Sequence, residues 1–320
     1  MYGYTVNKDM NYKEFADYVE KNFMEVLGEY IDVTGAVLKK TTVYKNNIGK
    51  VDALCVKLSD EMGGPVIHLR SMFKDYQKSM ETCQMDTKNA HQVLDKYAKN
   101  VIGTLPNMFE SIEPFHKRDI IMSNMENLHM CIISYEKNKE MLQKHPHRRL
   151  LDMAVVYRIF LSDNRNFQIT NSMIEERGIT EEDLYAKALH NLEKKVQVRY
   201  LHDFLTCIEQ VPGVEKDILV LTSKDTLYGA SVIWSKHAWE EAANRFHANF
   251  FILPSSIHEC LAIPDLPEFM LGDRESCIRS FHDMVREVNN TTVDEDEILT
   301  YSVYYYDRHS GEISILMGSE

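Results

Sequence analysis

The sequence predicts an α+β fold, with mostly antiparallel sheets flanked by helices, in two packed units. Three observations carry that expectation. At 320 residues the chain is longer than a typical single domain. Its β-rich runs come in pairs joined by short turns, as hairpins do. Between them lie amphipathic stretches with capping residues at their starts. A hydrophobic content of 44% and a charged content of 27% are those of a chain that buries a core.

The first unit is expected over residues 1–104. Asn11 to Gly28 reads as a helix, because Phe15, Val19, Phe23, Val26 and Leu27 recur at helical spacing, Asn11 can cap and Gly28 can end it. Val37–Tyr44 and Val51–Leu58 read as a hairpin around Lys45-Asn46-Asn47-Ile48-Gly49, whose Asn and Gly tolerate positive φ. Val66–Leu69 reads as a short strand and Ser71–Ser79 as a helix. Asp86–Ile102 is a further helix, with Gly103 as its stop. Thr104–Arg118 has two prolines and no clear period, which places the unit boundary there.

The second unit is expected over 119–320. Short strands are predicted at Asp119–Met122 and Leu128–Ser134, a helix at Tyr135–Gln143, and a strong strand at Leu150–Leu161 with Phe167–Thr170 returning beside it. A short helix, Met173–Arg177, precedes one that opens at Thr180 and runs to about Val196. Asp217–Thr222 and Leu227–Trp234 read as a hairpin, with Gly229 and Ala230 allowing a close approach. Ser235 caps a helix to about His247. Asp273 starts another, with Ile278, Phe281, Met284, Val285 and Val288 along one face. Tyr301–Tyr306 and Ile313–Leu316 close the chain as a hairpin.

The totals narrow the function classes. A formal net charge of -13 disfavours a general nucleic-acid or anionic-lipid role. The one basic stretch, Lys144-His145-Pro146-His147-Arg148-Arg149, reads best as a solvated turn. The six cysteines form no C-x-x-C pair and mostly sit in apolar runs, which points to reduced, buried thiols and a cytoplasmic location. Met1 to Phe15 shows no basic segment followed by an apolar one, so no secretory signal is expected. The longest apolar run, Met153–Leu161, is too short to span a bilayer. No dinucleotide, phosphate-loop, zinc-protease or serine-elbow motif occurs, and no cofactor or metal is expected.

The densest chemistry follows the apolar run Phe250–Leu253, where Pro254 leads into Ser255-Ser256-Ile257-His258-Glu259. Read as a strand, Ser256 and His258 share one face while Ser255 and Glu259 share the other. Side chains two apart on one strand point out in parallel, so they do not form a nucleophile–base pair by themselves. Ser256 and Glu259 also match capping-box spacing. The apolar run bounded by prolines favours a bend followed by a strand. A hydrogen-bonded structural role is the plainer reading of His258 and Glu259. His147, with Arg148 and Asp152 after it, and Asn46 in the hairpin turn complete the candidate ligand or partner site.

Several segments resemble one family along nearly the whole chain. They are Lys45-Asn46-Asn47, Pro65-Val66-Ile67-His68-Leu69, Asn138-Lys139, and Pro146-His147-Arg148 leading to Leu151-Asp152-Met153-Ala154-Val155-Val156. Further on come Leu221-Thr222, Tyr228-Gly229-Ala230, Ile252 to Glu259, and Val285-Arg286-Glu287-Val288-Asn289. In these the chain resembles the bacterial domain-of-unknown-function family 5688. Ile48 departs from the pattern, since the family tends to have glycine directly after the asparagines. The resemblance implies an intracellular bacterial protein, one recurring unit over the whole chain, and no particular activity.

The expectation is therefore a cytoplasmic, non-catalytic binding or regulatory module with an unknown protein or small-molecule partner and no membrane partner, with nucleic acid disfavoured. The alternative is a hydrolase-type enzyme that uses His258 and Glu259 with groups from elsewhere.

Overall fold

A computed structural model describes residues 10–57, 64–82, 88–112, 119–161, 166–203, 218–254, 256–269 and 272–318. The chain divides into two units. The first comprises residues 1–45 and 50–117, and the second comprises 46–49 and 118–320.

In the first unit, α1 (Tyr12–Gly28) begins at Asn11, whose side chain accepts from the Glu14 amide while Glu14 reaches back. That reciprocal capping satisfies two otherwise orphaned donors. The hairpin β1 (Val37–Lys45) and β2 (Gly49–Lys57) is joined by β3 (Val66–His68) into a three-stranded sheet. Two helices, α2 (Leu69–Thr82) and α3 (Lys88–Ile112), complete the unit. The core is the α1 stripe of Phe15, Val19, Phe23, Val26 and Leu27 against Leu54 and Val56 of β2, Met72 and Tyr76 of α2, and Leu94 and Ala98 of α3. The third helix runs past the expected stop at Gly103 and through Pro106. Gly103 keeps a negative φ, so it continues the helix instead of ending it.

In the second unit, α4 (Asp119–Ser123) replaces the strand expected there; five residues are too few for periodicity to decide. A four-stranded antiparallel sheet holds β4 (Leu128–Ser134), β5 (His147–Leu150), β6 (Met153–Phe160) and β7 (Asn166–Gln168), with β6 central. The expected single strand over Leu150–Leu161 is thus divided, and the basic stretch is partly strand instead of turn. The break is a tight turn at Leu151, which takes φ 57. Such a conformation is uncommon outside Gly, Asn and Asp, so nothing in the residue type announces it.

Between the strands lie α5 (Tyr135–Leu142), α6 (Asn171–Glu175) and α7 (Glu181–Glu193), the last capped by Thr180. That helix stops before Val196, which opens a strand, β8 (Val196–Tyr200). The second sheet has six antiparallel strands in the order β13-β12-β10-β11-β9-β8. Its other members are β9 (Leu219–Ser223), β10 (Phe250–Pro254), β11 (Cys260–Pro264), β12 (Val303–Asp307) and β13 (Glu312–Met317). Leu227–Trp234 is not a return strand. Gly229–Trp234 forms a 3-10 turn, entered from left-handed Thr226 and Tyr228.

Two helices follow, α8 (Lys236–Phe246), capped by Ser235, and α9 (Arg274–Thr291), capped by Asp273. Central β10 explains why Phe250–Leu253 is apolar on both faces. Phe250 and Ile252 enter one core with β4, β6, α7 and α8, while Phe251 and Leu253 enter another with Cys277, Phe281 and Val285 of α9. On α9 the buried face includes Cys277, His282 and Asn289, whereas Met284, expected inward, is 47% exposed.

Candidate functional site

The polar bend after β10 is built as a bend and not as a helical turn or strand, and Ser255 lies outside the described residues. The Ser256 hydroxyl accepts from the His258 amide at 2.9 Å and donates to Glu259 Oε1 at 3.3 Å. The His258 carbonyl accepts from the Thr222 hydroxyl at 2.8 Å. This close approach needs Gly229: a Cβ there would lie 2.1 Å from Thr222 Oγ1 and 2.3 Å from the His258 carbonyl oxygen. The tight packing expected at Gly229 is present, on a 3-10 turn in place of a strand.

Both nitrogens of the His258 ring face partners. Nδ1 lies 3.3 Å from the Tyr228 amide and 3.3 Å from the Thr226 carbonyl oxygen. Nε2 lies 3.3 Å from Glu297 Oε1. A neutral ring takes the Tyr228 N–H at Nδ1 and donates from Nε2, whereas a protonated ring donates to Thr226 and Glu297. The imidazole therefore clamps a loop that carries two left-handed non-glycine residues, Thr226 and Tyr228. Such conformations persist only where surrounding contacts hold them.

Glu297 belongs to a segment that ties several predicted residues together. Asn47 takes φ 61 at the hairpin turn and is buried. Its Nδ2 donates to the Asp296 carbonyl at 3.0 Å. Its Oδ1 accepts from the Ser134 amide at 2.8 Å and from Asn138 Nδ2 at 3.0 Å. Its own amide donates to Asn138 Oδ1 at 3.1 Å. The sequence reading selected Asn46 as the site residue; the asparagine that enters this network is Asn47, its neighbour.

Asp152 follows the left-handed Leu151 and points at the same segment. Oδ2 accepts from the Thr300 hydroxyl at 2.8 Å and the Ser302 hydroxyl at 2.7 Å, and Oδ1 accepts from the Tyr304 hydroxyl at 2.5 Å. Burial first, and then the Asp152 charge, hold the Tyr304 phenol well above the ordinary tyrosine range. Residues 296–304 thus link the Asn47 turn, the His258 clamp and the Asp152 carboxylate.

His147 and Arg148 lie apart from this segment. His147 Nδ1 donates to the His145 carbonyl at 2.9 Å. Arg148 donates to Glu181 and to Glu182, each at 2.6 Å, with its guanidinium 3.7 Å from the centre of the Tyr185 ring. Among the described residues no hydrogen bond joins Asn46, His147 or Asp152 to His258. Nor does any group of three or more His, Cys, Asp or Glu there have the placement to hold a metal.

A second feature flanks the His258 loop and was missed from sequence. His129 and Lys195 line a cavity of about 20 Å³, room for a single water, together with Ser223, Leu227 and Tyr228. His129 Nε2 lies 3.5 Å from Lys195 Nζ, which also pairs with Asp225 at 2.6 Å. Burial first, then the Lys195 charge, push the His129 imidazole down to about 4. His129 and Lys195 are 66 positions apart, and neither belongs to a local motif. The buried Cys131 thiol is pushed up to about 12 by desolvation, which makes it a poor nucleophile at neutral pH.

None of the described helices is long and apolar enough to cross a membrane. No curated protein and no solved structure matches the chain. The family model described as a family of unknown function, DUF5688, matches residues 12–308, and the chain belongs to that family.

Proposed function

We propose that the chain is a cytoplasmic binding or regulatory module whose polar centre organises structure and carries out no reaction. One observation supports this most directly: the groups that would do chemistry are turned onto the chain itself. Both His258 nitrogens face internal partners, the Ser256 hydroxyl bridges the His258 amide and Glu259, and Asp152 receives three hydroxyls. A catalytic base needs a nitrogen within reach of a substrate proton, and a nucleophile needs an oxyanion hole in front of it. The partner is a protein or a small molecule. Nucleic acid is disfavoured, since Arg148 is committed to Glu181 and Glu182 and the net charge is -13.

The second reading is a hydrolase-type centre on His258. Its support is the Glu297 carboxylate 3.3 Å from Nε2, which can orient an imidazole. Glu259, the other residue of that reading, accepts from the Ser256 hydroxyl. One experiment separates the two readings. The purified protein is assayed against ester, phosphate and nucleotide substrates beside a His258→Ala variant whose folding is checked by circular dichroism. Equal, background-level turnover is expected of both proteins. Turnover that disappears in the folded variant would replace the module reading with the enzyme reading.

A further inference from the structure

We propose that the first unit binds an extended peptide of another protein, which pairs with the free edge of β3 and sets an uncharged, apolar side chain beside it. The site is a groove of about 240 Å³ between β3 and the helices α2 and α3. That is less than the ~300–1,000 Å³ of sites that enclose a whole drug-sized ligand. All of its lining residues belong to the first unit.

The strand wall comes from Pro65, Val66, Ile67 and His68, four residues in a row. Side chains alternate between the two faces of a strand, so a hollow on one face meets every second residue. One that meets four in succession runs along the strand's edge. β3 ends the sheet order β1-β2-β3, and β2 occupies its other edge. The phase of that pairing is fixed by the Val56 amide, which donates to the Pro65 carbonyl at 3.0 Å. Backbone groups of an antiparallel strand turn to alternate edges, residue by residue. Pro65 and Ile67 therefore face β2, and the amide and carbonyl of Val66 face the groove. The Val66 side chain is 44% exposed. Across the groove stand Tyr97, Asn100 and Val101 of α3, at i, i+3 and i+4 and hence on one helix face, with Ser71 of α2 beside them.

The occupant follows from what these walls offer. None of the lining residues is a carboxylate, an ammonium or a guanidinium, in a chain with 49 acidic and 36 basic residues. A charged side chain set between them would lose water and gain no counter-charge, which is costly. An apolar side chain meets the Tyr97 ring and the valines on either wall. An apolar small molecule fits the same walls, but it covers the Val66 amide and carbonyl without bonding them. An extended chain presents its own carbonyls and amides at the spacing of β3 and bonds both. At ~3.3 Å per residue β3 is about 10 Å long, enough for three or four residues of such a chain. Asn100, exposed on the far wall, offers an amide to the outer edge of that chain.

This site gives the binding-module reading a partner class and rests on that reading. The full chain is titrated, by fluorescence anisotropy, with labelled seven-residue capped peptides of alternating threonine and serine. Their central residue is leucine, phenylalanine, aspartate or lysine, and a fifth probe is the leucine peptide methylated at every backbone nitrogen. The leucine or the phenylalanine peptide is expected to bind in the micromolar range, and the charged and methylated peptides at least tenfold more weakly. Binding should slow hydrogen exchange at the Val66 amide. An Asn100→Arg variant sets a long cation against the groove and should lose at least tenfold in affinity. A Gln92→Arg variant, on the same helix but outside the groove, should bind as the parent does. Both positions are exposed, so both variants keep their fold and loss of binding cannot be blamed on unfolding. The proposal is overturned if neither apolar peptide binds below millimolar concentration, or if the charged or methylated peptides bind as tightly. It is equally overturned if Val66 exchange is unaltered, if Asn100→Arg binds unchanged, or if Gln92→Arg loses as much. A dimer in light scattering that Asn100→Arg separates would replace the peptide with a second copy of this chain. Those failures leave the module reading standing, whereas turnover dependent on His258 removes that reading without altering these titrations.

Discussion

The two units treat polar side chains in opposite ways. Around residues 296–304, buried Asn47, Thr300, Ser302 and Tyr304 meet Asn138, Ser134 and Asp152 through bonds that stay inside the chain. Beside α2, exposed Arg70 and Lys74 line an open cavity of the first unit. Burial makes an unpaired polar group costly, so the first cluster has to be internally complete. Exposure removes that demand, so water can share in solvating the second at little cost in stability. Dense polar chemistry in a sequence therefore marks a structural hub as readily as a binding site. The difference lies in where the hydrogen bonds go.

Unfolding measurements test this contrast, and the largest effect is expected at Asp152. An Asp152→Ala variant leaves three buried hydroxyls without their acceptor and should lose about 4 kcal/mol in urea unfolding, with about half that for Asp152→Asn. A loss below about 1 kcal/mol would mean that the network is dispensable and the contrast false.

His129 comes next. Its folded pKa of about 4 lies below the unfolded value near 6.5, so the unfolded chain binds the extra proton first. Its contribution is complete above pH 6.5 and is lost as pH falls through that window toward 4. Since the ring keeps some contact with water, the loss should be about 2 kcal/mol. A His129→Gln variant should flatten this part of the stability–pH curve; an unchanged slope would assign it to other groups.

The smallest effect is expected in the cavity of the first unit. There the Arg70→Gln/Lys74→Gln variant should change unfolding free energy by less than about 0.5 kcal/mol, in either direction. A loss comparable to that at Asp152 would make these cations part of the fold and erase the difference between the two regions.

Much of the architecture was legible in the sequence. Asn11, Thr180, Ser235 and Asp273 cap helices because a side-chain oxygen beside free amides is a local property. Phe250–Leu253 is legible as a two-sided strand for the same kind of reason. The turn at Leu151 and the left-handed Tyr228 are not, because tertiary contacts impose those conformations on residues that disfavour them. The site was only partly readable. Ser256, His258 and Asp152 stood out by type, but their partners, Thr222, Glu297 and Thr300 to Tyr304, are remote or chemically ordinary. Asn138 and Asn47 stood in the family segments without any sign that they would pair. The unit 1 cavity was not read from the sequence, because its lining comes from separate elements and matches no local motif.

The bond from Asn47 to the Asp296 carbonyl spans 249 residues. At ~5–20 residues per second of synthesis, roughly 10 to 50 seconds separate the appearance of the two partners. Throughout that interval the asparagine turn belongs to a nascent chain whose receiving segment has not been made. The second unit therefore cannot finish folding in the order in which it is translated. An early piece of the chain, the turn at Asn47, has to wait for a late one.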